Sequence, residues 1–149
     1  MATVDLPLGP LLTGGTLSGH IHDDSGDVPT NVIRMEDPWS IHLDWNINGP
    51  IIPFLTGDWR IEVAFERLGP GQELLRTEAP VPYASGTFTA TSVSYNRFVS
   101  FSPGYPPLAG DPDAAYHVIV MLTFRNGATP GPFATVLDLG IVQFYDSPK

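Results

Sequence analysis

Hydrophobic residues fall at every second position through two stretches of the chain. Trp39, Ile41, Leu43, Trp45 and Ile47 alternate with Ser40, His42, Asp44, Asn46 and Asn48. Trp59, Ile61, Val63 and Phe65 then alternate with Arg60, Glu62, Ala64 and Glu66. A strand sends successive side chains to opposite faces, so a period of two predicts strands near 39–48 and 58–66, each with one dry and one wet face. The same reading predicts a first strand over 15–22 and a short edge strand within 31–36. It predicts further strands over 73–77, over 87–95 with 98–101 as its extension, over 115–125, and over 133–145. Gly and Pro cluster between these runs, as turn residues do. The segment from Gly49 to Gly57 carries Pro50 and Pro53, which cannot serve a central strand, yet it is apolar. It is expected to pack down as a loop. No stretch shows the three-and-four spacing of an amphipathic helix.

About seven to eight strands at these intervals predict an all-β fold, a single-domain Greek-key sandwich. Residues 15–149 are expected to form the sandwich and residues 1–14, apolar and Pro-interrupted, an extended arm. Charge constrains the connectivity. In a simple hairpin of the two alternating strands, Asp44 would lie opposite Glu62, and like charges directly opposite one another destabilise a sheet. A connection that crosses from one sheet to the other avoids the clash.

The order resembles an immunoglobulin-like sandwich of the fibronectin type III kind. Leu43-Asp44-Trp45 is similar to that family's Trp-bearing second strand, Trp59-Arg60-Ile61-Glu62-Val63 to its third, and Tyr116-His117-Val118-Ile119-Val120 to its Tyr-x-Val-x-Val sixth strand. Asn126-Gly127 followed by a last strand fits as well. The likeness covers roughly residues 39–145 and is one of pattern. Where the family has a Leu six positions before the Tyr, this chain has Gly110. The resemblance implies an adhesive or structural module.

Composition narrows the partners. The net charge is −9, and Lys149 is the one lysine. Such a surface repels phosphate, so no nucleic acid and no membrane is expected as a partner. The absence of Cys excludes a disulfide framework and thiol chemistry. The N-terminal sequence lacks the basic-then-apolar pattern of a signal peptide, which sets the expectation of a cytoplasmic protein, with leaderless export left open.

Candidate chemistry is sparse. His20 and His22, two apart on a strand, share a face, and Asp27 follows in an acidic turn, so the three are candidate ligands for a transition metal. Their spacing resembles part of the cupin metal motif, but Asp27 replaces a Glu and Arg34 stands where that motif ends in Gly. No second motif supplies a further histidine, and the expectation is no bound metal and no cofactor. Asp23, Ser25 and Asp27 alternate as in a calcium loop, but Val28 and Arg34 occupy the Gly and Glu positions of the helix-loop-helix motif. His42 and His117 read as lone surface histidines. Glu62 and Glu66, beside Arg60, read as a charged outer face rather than an acid-base pair. No Gly-x-Ser-x-Gly elbow or phosphate-cradling loop occurs, and the chain reads as a non-enzyme. Tyr83, Tyr95 and Tyr105, in or near loops, form a candidate platform for sugar rings.

The more informative feature is apolar. The wet phase of strand 115–125 holds Ile119 and Met121, and the last strand is apolar on both phases, with Val136 and Val142 on the outer one if no bulge intervenes. A face like this needs cover. Ile119, Met121, Val136 and Val142 are the candidate interface, covered by a second copy in a homo-oligomer or by another protein, with the N-terminal arm adding a strand to a neighbour's edge. A β-bulge near Asp138-Leu139-Gly140 would instead swap the phases and remove much of the patch. The expected function is a non-catalytic assembly or interaction module. The alternatives are a carbohydrate- or calcium-binding module and a metal-dependent enzyme built on His20 and His22.

Overall fold

A computed structural model describes residues 2–3, 11–23, 29–69, 73–105, 115–127 and 129–145. Among them, eleven strands run in the order β1 (Ala2–Thr3), β2 (Gly14–His22), β3 (Val32–Arg34), β4 (Trp39–Asn48), β5 (Asp58–Arg67), β6 (Leu74–Thr77), β7 (Val81–Pro82), β8 (Thr87–Phe88), β9 (Ser92–Phe101), β10 (Ala115–Asn126) and β11 (Thr129–Tyr145). They form two sheets packed face to face. The first has the order β1-β2-β4-β9-β8 and the second β3-β11-β10-β5-β6, with β7 also paired to β5.

The two alternating strands divide as the charge argument requires. β4 pairs with β2 and β9 in the first sheet, and β5 pairs with β10, β6 and β7 in the second. Asp44 lies between Ser18 and Asn96, and Glu62 between Met121 and Thr77. Neither faces a like charge. The sequence β2-β4-β9-β8 against β11-β10-β5-β6 is the immunoglobulin-like Greek-key arrangement, in which strands A, B, E and D face C, F and G. β3 adds itself in parallel at the β11 edge.

The core forms where the dry phases meet. Trp39, Ile41, Leu43, Trp45 and Ile47 of β4 are buried, as are Trp59, Ile61, Val63 and Phe65 of β5. Trp45 from one sheet meets Trp59 from the other edge-on at 6.0 Å and stacks on Tyr95 at 5.0 Å. At the far end Trp39 stacks on Phe101 at 4.1 Å. Aromatic pairs of this geometry add about 0.5–1.5 kcal/mol each beyond simple burial. The loop after β4 packs down as expected. Ile52, in a 3₁₀ turn over Ile52–Phe54, is buried and its carbonyl accepts a 2.7 Å hydrogen bond from the Tyr83 hydroxyl.

Three expectations change. The strand expected over 87–95 is a hairpin: β8 turns at Thr89–Thr91 and pairs back, Thr87 against Ser94 and Phe88 against Val93. The turn closes with Thr89 N donating to Ser92 O at 2.9 Å. β9 then runs unbroken to Phe101. The arm also differs where it is described. Leu12 is in the core, and Ala2 and Thr3 pair with Leu17 and Thr16 of the same chain rather than with a neighbour's edge. Residues 4–10 lie outside the described residues.

The third change is in β11. Its register against β10 shifts between His117–Ile141 and Ile119–Asp138, so three steps on β11 answer two on β10. The extra residue makes a β-bulge. Gly140 takes φ +82°, a left-handed conformation that costs other residues strain, and its N–H is held by Asp138 Oδ1 at 2.7 Å. Before the bulge, Phe133, Thr135 and Leu137 point inward; after it, Val142 and Phe144 do. Val142 is therefore a core residue at 0% exposure, not part of the outer face. Ile141 takes the outward place.

Candidate functional site

The outer face of the second sheet is built from β6, β5, β10 and β11. Cross-strand register arranges its side chains in rows. One row runs Leu75–Ala64–Ile119–Asp138, the next Thr77–Glu62–Met121–Val136. A third joins Glu66, His117 and Ile141, and a fourth joins Arg60, Thr123 and Ala134. The alternation that buries Val118, Val120 and Leu122 turns Ile119 and Met121 outward, where they are half-buried by their neighbours. Leu75, Val136 and Ile141 stand out at 59%, 58% and 54% exposure. The bulge thus reshapes the patch instead of removing it: Val142 leaves and Ile141 enters. Sequence reasoning misses Ile141, Ala64 and Leu75. Leu74 and Leu75 are adjacent, and no local pattern tells which of two adjacent leucines faces out.

Charges rim this apolar band unevenly along the strands. Arg60 stands at one end, its Nε 3.5 Å from Oε1 of Glu62, which lies within the band beside Met121. At the other, His117 Nε2 is 2.7 Å from Asp138 Oδ1 and its Nδ1 is 3.7 Å from Glu66 Oε2. The Gly140 N–H, and then His117, hold the Asp138 carboxyl below the usual carboxylate range. Glu62 and Glu66 are therefore each engaged by a neighbouring base, as a charged outer face would have them.

The remaining candidates are dispersed. Tyr83 and Tyr95 are buried, and the Tyr95 hydroxyl donates to Tyr83 O at 2.6 Å. Tyr105 packs on Phe65 and Phe101 at 5.5 and 5.2 Å. The candidate sugar platform is thus a set of core contacts: Tyr95 lies within β9, Tyr83 in a 3₁₀ turn, and Tyr105, just after β9, packs back on the core. Asp27 lies outside the described residues, as does most of the acidic turn. His20 and His22 are on the outer face of the first sheet, and strand order brings His42 beside them: His42 is the direct cross-strand partner of His20. His42 is not a lone histidine, and this neighbour is invisible without the sheet order.

No protein-family model matches the chain, and no curated protein matches it in sequence.

Proposed function

We propose that this protein is a non-catalytic interaction module that self-associates through the outer face of the β6-β5-β10-β11 sheet. The observation that carries the reading is the continuous apolar band Leu75–Ala64–Ile119–Met121–Val136, with Ile141 beside it, on a sheet face that nothing in the described chain covers. A second copy suits it. With a two-fold axis across the strands, the sheets pack face to face with strands reversed, so the Arg60 end of one copy meets the Glu66 and Asp138 end of the other. The resemblance to fibronectin type III domains, mostly adhesive or structural, points the same way.

The contact is small. Four strands about 4.8 Å apart, over about seven residues at about 3.3 Å each, give a flat footprint of roughly 440 Å², against the ~800 Å² of accessible surface that each partner buries in a standard complex. We propose that the association is weak and reversible.

Met121→Lys tests the reading. The introduced ammonium would lie across from Glu62 within its own chain, so the monomer keeps its fold. At the contact the added ammonium and the Glu62 carboxylate would both be taken out of water, and the desolvation of a buried ion pair can exceed its mutual attraction. Light scattering should show the variant monomeric at concentrations where the parent associates. Phe98→Ser, on the opposite sheet, should leave association unchanged. Equal association by Met121→Lys and the parent would refute this face as the contact.

A further inference from the structure

We infer that the outer face of the first sheet carries a three-histidine site for a borderline divalent cation such as Zn²⁺, formed by His20, His22 and His42. Sequence alone places no third histidine near the His20-x-His22 pair; the sheet supplies one. In the β2–β4 register His20 faces His42 directly, and His22 follows two residues on along the same face. Directly opposed Cβ atoms sit about 4.5–5.5 Å apart and diagonal ones within about 8 Å, so three imidazoles share one cell of the sheet.

Two ring nitrogens there lack a partner. Asn96 Nδ2 donates to Asp44 Oδ1 at 2.8 Å, because a carboxylate only accepts. Asn96 therefore turns its Oδ1 toward His42 Nε2, 2.9 Å away, and that nitrogen must carry the proton. A neutral His42 then holds its lone pair on Nδ1, with no hydrogen-bond partner among the described residues. His22 Nδ1 is buried and has no hydrogen-bond partner. An outer group that fixes the tautomer of a ring is how proteins aim imidazole at a metal, and the Asp44–Asn96–His42 chain does this. All-imidazole donors suit Zn²⁺, Cu²⁺ or Ni²⁺ rather than Ca²⁺ or Mg²⁺.

The rings are near but not closed. As they stand, no group of three or more His, Cys, Asp or Glu among the described residues is placed to hold an ion. The His20–His22 and His22–His42 centroids are 6.4 and 6.2 Å apart. Two rings sharing an ion through bonds of about 2.1 Å need roughly 5–6 Å between centroids. The His42 ring is held by its stack on Phe98 at 4.4 Å, so exposed His20 and then His22 must turn toward it for the set to close. Binding organises the site.

Calorimetric titration of ZnCl₂ into tag-free protein near neutral pH decides this. One Zn²⁺ per chain is expected, weakened at least about tenfold by His20→Gln and by His42→Gln, and roughly tenfold by Asn96→Ala, which removes only the orienting group. His117→Gln, on the other sheet, should change nothing. Circular dichroism verifies that each variant is folded. No saturable binding up to ~100 µM Zn²⁺, or binding that survives both His20→Gln and His42→Gln, overturns the site.

Discussion

Replacing Gly140 by Ala should destabilise the protein although it removes no contact and creates no clash. Gly140 sits at φ +82°, where a Cβ would meet nothing closer than Asn31 Nδ2 at 3.8 Å. The penalty is therefore conformational. A non-glycine residue in the left-handed region costs about 1–2 kcal/mol. Alanine also stiffens the unfolded chain, which returns about 0.4–1 kcal/mol. The net loss is about 1 kcal/mol, which in a chain of this size lowers the melting temperature by about 2–4 °C. Gly140→Asn should lose less, because Asn enters the left-handed region more readily. Thermal unfolding followed by circular dichroism measures both. A Gly140→Ala protein that melts at or above the parent temperature would refute the bulge, and with it the phase switch that sends Ile141 out and Val142 in.

Two further outcomes follow from the same packing. Val142→Glu should abolish folding, because it buries a charge among core residues, whereas Ile141→Glu should fold; equal behaviour in circular dichroism would put the phase switch elsewhere. Burial pushes the Tyr83 phenol up to about 12 and Tyr95 higher still. A phenol raised in the folded state favours the neutral form, so its contribution to stability is complete below the ordinary value near 10 and is lost as pH rises through the folded value. Phenolate absorbance should show both tyrosines ionising only as the protein unfolds in base. Ionisation of all five tyrosines near pH 10 with the fold intact would contradict their burial.

The parts of this fold that were legible in the sequence are those with one face buried. β4 and β5 each put every large apolar residue on one phase, so strand identity, core residues and even their assignment to separate sheets followed from alternation and from Asp44 and Glu62. β11 resisted because both its phases are apolar, and only a bulge decides which residues turn inward. Its local signal is the pair Asp138 and Gly140: a short acceptor two residues before a glycine that can take positive φ. β8 and β9 merge in the sequence pattern because Thr89–Thr91 lacks Gly and Pro, while the turn is closed by Thr and Ser hydroxyls, Thr89 Oγ1 and Ser92 Oγ standing 2.6 Å apart. The candidate site was partly legible. Ile119 and Met121 lie where alternation put them, since β10 keeps an unbroken register with β5, and Val136 does because it precedes the bulge in β11. Lateral neighbours are a property of strand order, which no local period encodes. That is why Leu75 and Ala64 beside Ile119, and His42 beside His20, emerged only with the sheets assembled.

The central claim is self-association through the β6-β5-β10-β11 face, and sedimentation of the parent protein across concentration tests it most directly. A footprint of roughly 440 Å² predicts a weight-average mass that starts at one 16.1 kDa chain near ~10 µM and climbs toward twice that value as concentration approaches ~1 mM. A mass that stays at 16.1 kDa throughout that range would contradict a second copy as the occupant of the apolar face.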